Sequence, residues 1–244
     1  MINILTMDKA QIIALNPSDV TQELTREEVV HIATVLDAFW SYDYEAAKQG
    51  RSGLHALLKS GRHSNGFFIS KVMLRYLNIR KIMADQMAMK LKKLGVKPDW
   101  VGGIPDGATG LGEDLAEALG AKVAKMEKVD GKIHFLSDIP PGETLLLCED
   151  FCTRGTGFKE TVMNIISKQP RTSFILHEPV IINRGGLHYL GIGGVGIFAI
   201  LPIADHRIED WEPTECPLCK MGSKAIKPKA TDENWHLITT SQLM

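Results

Sequence analysis

Two adjacent acids, Glu149 and Asp150, follow an apolar run, Leu145–Leu147, and precede Thr153-Arg154-Gly155-Thr156-Gly157. A carboxylate pair suits hydroxyl groups, or a Mg²⁺ ion held between hydroxyls and phosphates. The small residues that follow let successive backbone N–H groups turn toward one point, and a helix starting there adds partial positive charge. Together they describe a site for a ribose phosphate. The spacing is not G-x-x-x-x-G-K-[ST], so the loop does not read as that of a nucleoside triphosphatase. The bland alternative is a surface turn with two solvated acids and a helix cap at Thr156; the fourteen residues Thr144–Gly157 taken together argue against it.

The elements that must hold these residues can be read around them. Three leucines in a row, bounded by Pro141-Gly142, read as a short strand buried on both faces, as in a parallel sheet. The acids then stand at its carboxyl end, where open α/β sheets bind ligands, and residues 158–168 read as the following helix. Upstream, Asp99–Ile104 reads as a strand, Pro105-Asp106-Gly107-Ala108-Thr109-Gly110 as a turn, and the next stretch as a helix closed by Gly120, a second anion site. Met83, Met87, Leu91 and Leu94 recur at helical spacing before a capping Gly95. Thr25 and Glu28 match a capping box, predicting a helix from about Arg26 to Phe39. Tyr42–Lys48 and Leu54–Leu58 are expected as short helical pieces, and Lys122–Met126 as a strand. Glu127–Pro141, with Lys128 and Lys132, reads as a polar loop and candidate lid. Ser173–Asn183 reads as a strand interrupted at Pro179 and followed by Arg184. Gly191-Ile-Gly-Gly-Val-Gly196 has the G-x-G-x-x-G spacing, but no helix opens after it, so it reads as a loop between final strands.

Length and composition narrow the function classes. A chain of 244 residues, 44% hydrophobic and 23% charged, fits one domain with additions, or two at most. A net charge of -1 gives no basic field for nucleic acid and no cationic face for a membrane. No apolar run approaches the ~18 residues of a membrane span, and the first residues lack a signal-peptide pattern, so the expected location is the cytoplasm. Four cysteines do not make a disulfide scaffold in a chain this long. Cys216-Pro-Leu-Cys219 could be half of a zinc site, but a four-ligand site needs a second pair, and Cys148 and Cys152 lie in the acid motif. The pair therefore reads as ordinary thiols in a C-terminal extension.

The strand, the two acids and the Thr-x-Gly-Thr loop resemble the phosphoribosyl-pyrophosphate signature of type I phosphoribosyltransferases. Leu58-Lys59-Ser60-Gly61-Arg62, with Ser64 and Phe67-Phe68, resembles the N-terminal hood motif of the orotate phosphoribosyltransferases within that family. Asn65-Gly66 stands where that group has Pro-Tyr. The resemblance implies a doubly wound, mostly parallel α/β sheet with an N-terminal hood and a C-terminal extension. The expected divisions are residues 1–66 for helices and hood, 67–204 for the core and 205–244 for the extension. It further implies Mg²⁺-dependent transfer of ribose 5-phosphate from phosphoribosyl pyrophosphate to orotate, in a cytoplasmic homodimer. By the same resemblance, Glu149 and Asp150 hold ribose hydroxyls, and Thr153, Arg154, Gly155, Thr156 and Gly157 hold the 5′-phosphate. Ile104, Pro105, Asp106 and Gly107 take pyrophosphate, with Mg²⁺ bound through substrate and water rather than by direct protein ligands. Lys59, Phe67, Phe68 and Arg184 define the base pocket, and Lys128 or Lys132 neutralises the leaving group. Asp106 occupies a place where orotate enzymes often carry Lys, and Met126 falls where their lid has Lys. Two other functions fit the motifs: phosphoribosyl transfer to a different base, and a non-catalytic sensor of phosphoribosyl pyrophosphate.

Overall fold

The computed structural model describes residues 2–243. Helix α1 (Lys9–Ile13) opens the chain, and α2 (Arg26–Val35) starts at the expected capping box, with Thr25 and Glu28 satisfying each other's backbone N–H groups. The helix stops short of Phe39, because Asp37 takes a left-handed backbone (φ 57°) and turns the chain into strand β1 (Phe39–Ser41). Helix α3 (Tyr44–Lys48) follows. Leu54–Leu58, expected as a short helical piece, instead holds strand β2 (Leu54–Leu57). It pairs antiparallel with β3 (His63–Ser64), and β4 (Gly66–Phe68) pairs back onto β1.

Short α4 (Ser70–Leu74) leads into α5 (Leu77–Lys93), whose Met83, Met87 and Leu91 are buried as the spacing predicts, whereas Leu94, the last of the series, caps the helix end and is exposed. Strand β5 (Trp100–Gly103) is followed by α6 (Thr109–Leu119), which ends at left-handed Gly120. Beyond β6 (Lys122–Val123), the expected polar loop is a hairpin: β7 (Met126–Val129) against β8 (Lys132–Phe135). Its two-residue connection, Asp130-Gly131, has positive φ at both positions, as a type I′ turn requires.

Strand β9 (Thr144–Cys152) and helix α7 (Thr156–Lys168) carry the acid motif. The next strand breaks at Ile175-Leu176, between β10 (Ser173–Phe174) and β11 (His177–Asn183), rather than at Pro179. Strands β12 (Tyr189–Ile192) and β13 (Gly196–Asp205) form a hairpin, with Gly193–Val195 as its turn. The main sheet runs β12-β13-β11-β9-β5-β6, with β10 beside the start of β9, and is parallel except for β12. Leu146 and Cys148 face the cluster built with α2, α5 and α6, whereas Leu145 and Leu147 face the one built with α7. This double burial accounts for the uninterrupted leucines.

The last segment builds onto the hood. Strand β14 (Asp210–Trp211) pairs with β3, helix α8 (Pro217–Lys220) follows, and β15 (Lys224–Ile226) pairs with β2. Helix α9 (Asp232–Thr240) covers this four-stranded sheet through Ile238 and Trp235.

Candidate active site

After β5 the chain adds β6 on one flank, and later places β9 on the other. That reversal is the switch point at which doubly wound sheets open a crevice beyond the strand ends. The Ile104 N–H donates to the Cys148 carbonyl at 3.0 Å, so the loop after β5 and the end of β9 lie side by side.

The acids do not end their strand. Pairing with β11 continues through Cys152, so Glu149 and Asp150 lie within β9 and alternate across the sheet. Asp150 faces a cleft of about 760 Å³ that also holds Asp106 and Gly107. A Cβ at Gly107 would collide with the Asp150 carboxylate, so the glycine allows this approach. Glu149 faces the α7 side, with its Oε1 3.1 Å from where a Gly157 Cβ would stand. The two acids thus serve adjoining clefts.

Beside Glu149 lies an acid that sequence reasoning missed. Glu178, on β11, is fully buried, and neither of its carboxylate oxygens has a hydrogen-bond partner. Burial first, and then the neighbouring Glu178 and Asp150 carboxylates, push the Glu149 pKa well up; burial pushes Glu178 up to about 7. The pair therefore retains a proton near neutral pH. The only signal in the sequence was a glutamate among the apolar residues of Pro179–Ile182 and their neighbours.

The Thr153–Gly157 loop is assembled by close approaches. Gly155 is left-handed (φ 64°) immediately before α7, a conformation that glycine adopts without the Cβ penalty. A Cβ at Gly185 would overlap the Thr153 carbonyl, so glycine lets the Arg184 turn fold against the loop. Arg184 Nη2 donates to Thr153 Oγ1 at 2.8 Å, and its guanidinium lies 5.9 Å from the centre of the Phe151 ring. Its buried Nε–H has no partner. Burial lowers the Arg184 pKa, and the Asp150 carboxylate opposes that shift.

The hood residues divide. Phe68 stacks on Phe39 at 4.1 Å and lies 5.0 Å from Phe151, whereas Phe67 turns toward Trp235. Lys59 is exposed in the β2–β3 turn, and its neighbours Leu58 and Ser60 line the space over Thr153–Gly157. Lys128 and Lys132 sit on the β7–β8 hairpin, where they line a cleft with Ile104, Pro105 and Glu149. This hairpin stands where a polar loop is expected.

Cations reach the Asp150 cleft from elements that sequence reasoning passed over. Lys71, Arg75 and Arg80 come from α4, its end and α5, and Lys229 comes from the segment after β15. Arg80 Nε is held by Asp114 at 2.7 Å. Desolvation by the cleft walls lowers the Lys229 pKa; Asp150 raises it and Arg184 lowers it further. No motif marks these positions, because the α4–α5 segment and the distant segment after β15 supply them together.

A parallel-sheet switch point flanked by the Thr153–Gly157 loop at a helix start and by a cation-lined glycine loop has the layout of a phosphoribosyltransferase-type protein. The chain matches none of the protein-family models against which it was compared. It is 30% identical over 198 residues to the orotate phosphoribosyltransferase of Heliobacterium modesticaldum, covering 80% of this chain and 95% of that protein. The Wolinella succinogenes orotate phosphoribosyltransferase is 30% identical over 184 residues, covering 71% of this chain and 88% of the relative. The one from Campylobacter concisus is 31% identical over 185 residues, with 71% and 90% covered. Among solved structures, the Francisella tularensis orotate phosphoribosyltransferase aligns with a TM-score of 0.47 at 20% identity, covering 72% of this chain and 84% of that one. The chain belongs to the orotate phosphoribosyltransferase family. Among the described residues, no helix is long and apolar enough to cross a membrane.

Proposed function

We propose that this protein transfers ribose 5-phosphate from phosphoribosyl pyrophosphate to N1 of orotate, giving orotidine 5′-phosphate and pyrophosphate, as a cytoplasmic homodimer. The observation that carries this reading is the convergence, at one switch point, of the Thr153–Gly157 loop, the Ile104–Gly107 loop and the β9 acids in a chain of this family. The ribose lies across the carboxyl end of β9. Backbone N–H groups at the start of α7 hold the 5′-phosphate, while the hydroxyls meet Asp150 on one side and Glu149 on the other.

Pyrophosphate occupies the larger cleft, where Lys71, Arg75 and Lys229 offset its charge. Mg²⁺ fits this donor set. Asp106 and Asp150 share the cleft and would face the ion through its water shell, with substrate phosphate oxygens as its direct ligands. When bound, the ion neutralises the departing pyrophosphate. Departure of that group leaves a sugar with oxocarbenium character, so the protein's work is positioning and charge stabilisation. Arg184, held by Thr153 beside Phe151, presents its free Nε–H toward the base side, and the β7–β8 hairpin brings Lys128 and Lys132 to the opposite wall.

The test is an ultraviolet assay of orotate consumption with Mg²⁺ and phosphoribosyl pyrophosphate. Asp150→Asn should cut turnover by at least ~100-fold, the scale of one lost transition-state contact, with the thermal unfolding midpoint preserved. An unmodified protein that binds phosphoribosyl pyrophosphate but consumes no orotate refutes the reading. Consumption of another base in its place reassigns the substrate.

A further inference from the structure

Outside the switch-point cleft, four metal-binding side chains meet: His55 and His63 of the hood, and Cys216 and Cys219 of the C-terminal segment. Strand pairing brings the two histidines together. Leu57 is opposite His63, and His55, two residues earlier on the same face, is its diagonal neighbour. Helix α8 brings the cysteines, since Cys216 caps its start and Cys219 lies within it. This is the second ligand pair that the lone C-x-x-C lacked.

The donor atoms enclose a centre. His55 Nε2 lies 3.0 Å from His63 Nδ1, 3.5 Å from Cys219 Sγ and 3.7 Å from Cys216 Sγ. Cys219 Sγ lies 3.3 Å from His63 Nδ1, and all four donors fall within 4.8 Å of one another. A tetrahedral ion with bonds of ~2.0–2.1 Å to nitrogen and ~2.3 Å to sulfur sets its ligand atoms roughly 3.3–3.8 Å apart. The observed spacings bracket that range.

The outer contacts orient the ligands. Ser223 Oγ donates to the Gly53 carbonyl at 3.1 Å and lies 2.9 Å from His55 Nδ1. The serine proton is thereby used, so Nδ1 carries the hydrogen of His55, and the Nε2 lone pair points to the centre. Histidine ligands are commonly fixed by such a partner. His55, His63 and Cys216 are buried, and Cys219 opens to solvent, which gives an ion a way in.

We propose that His55, His63, Cys216 and Cys219 bind one Zn²⁺ ion, which fastens the hairpin over the phosphate loop to the C-terminal segment. Two thiolates and two imidazoles in a tetrahedral set suit zinc. With all four positions filled by protein the ion is structural. Its consequence reaches the active site through position: the β2–β3 turn carries Lys59 and Ser60, and β15, beside β2, leads into Lys229.

The test is metal analysis of the full chain purified under reducing conditions from zinc-supplemented cells, a readout independent of orotate turnover. About one zinc per chain is expected, released by a thiol-modifying reagent, and lost at least ~10-fold in Cys219→Ser. Replacement by Co²⁺ should give the visible absorption of a tetrahedral thiolate complex, which tests the site even where a variant folds poorly. A folded chain that takes up neither Zn²⁺ nor Co²⁺, or one in which Cys219→Ser retains full zinc, overturns the proposal.

Discussion

The core sheet and the hood-and-tail module are held together by different means. Two large apolar clusters flank the main sheet, and residues such as Leu146, Leu115, Met87 and Ile182 are wholly buried between it and its helices. The module buries far less, chiefly Trp40, Tyr42, Ala56, Leu218 and Ile238. Polar links from distant parts of the chain do the rest. Gln242 exchanges hydrogen bonds with the Asp43 backbone at 2.7 and 2.8 Å, and Arg62 pairs with Asp210 and Glu212. A small unit that cannot bury enough surface relies on such staples, and on metals. The Thr153–Gly157 loop rests on the well-packed region, while Ser60 and Lys229 reach the clefts beside β9 from the stapled one.

The sharpest way to break this contrast is a core truncation. Leu146→Ala should cost about 2–5 kcal/mol, as buried leucine truncations do, read as a lower midpoint in urea unfolding. Stripping the hood metal should instead loosen the module first, giving early loss of Trp235 and Trp211 fluorescence. One shared transition in both experiments would mean a single cooperative unit.

A smaller effect is expected from the buried acid pair within the core. Folding raises the Glu178 pKa from 4.5 to about 7, so the native state holds its proton more tightly than the unfolded chain. That contribution is fully present below about pH 4.5 and is lost as pH rises through 7. Glu178→Gln should flatten the dependence and be more stable than the parent at pH 8 by on the order of 1–3 kcal/mol. Unfolding titrations at pH 5, 6, 7 and 8 check it, and an unchanged slope would place the proton elsewhere. The smallest effect belongs to the module: Arg62→Ala should raise KM for phosphoribosyl pyrophosphate by less than about tenfold with kcat nearly unchanged, because a partly solvated ion pair contributes little. A collapse of kcat would show that the clasp does more than position the hairpin.

Legibility followed the range of the interactions. The Thr153–Gly157 turn before α7, α6 with its Gly120 cap and the α2 capping box depend on neighbours within a few residues, and they stand where the sequence predicts. The Asp130-Gly131 turn is equally local, since Asp-Gly between strand-like flanks is a hairpin signal that a polar-loop reading of Glu127–Pro141 overlooks. Leu54–Leu57 was different. Four residues cannot display a period, and their strand partners include Lys224–Ile226, far along the chain. Once His55 is assigned to a helix, nothing links it to His63, and the cysteines have no visible partners. Glu149 and Asp150 were found, but their opposite directions required the strand to continue to Cys152, which pairing with β11 decides.

The β2–β15 pairing also bears on the order in which the chain can mature. Ribosomes deliver residues at about 5–20 per second, so Leu54–Leu57 emerges many seconds before Lys224–Ile226 is available to flank it. During that interval the outer edge of β2 presents unpaired backbone groups, a template that other nascent chains can extend. The β2 edge thus stays open to such pairing until the C-terminal segment arrives.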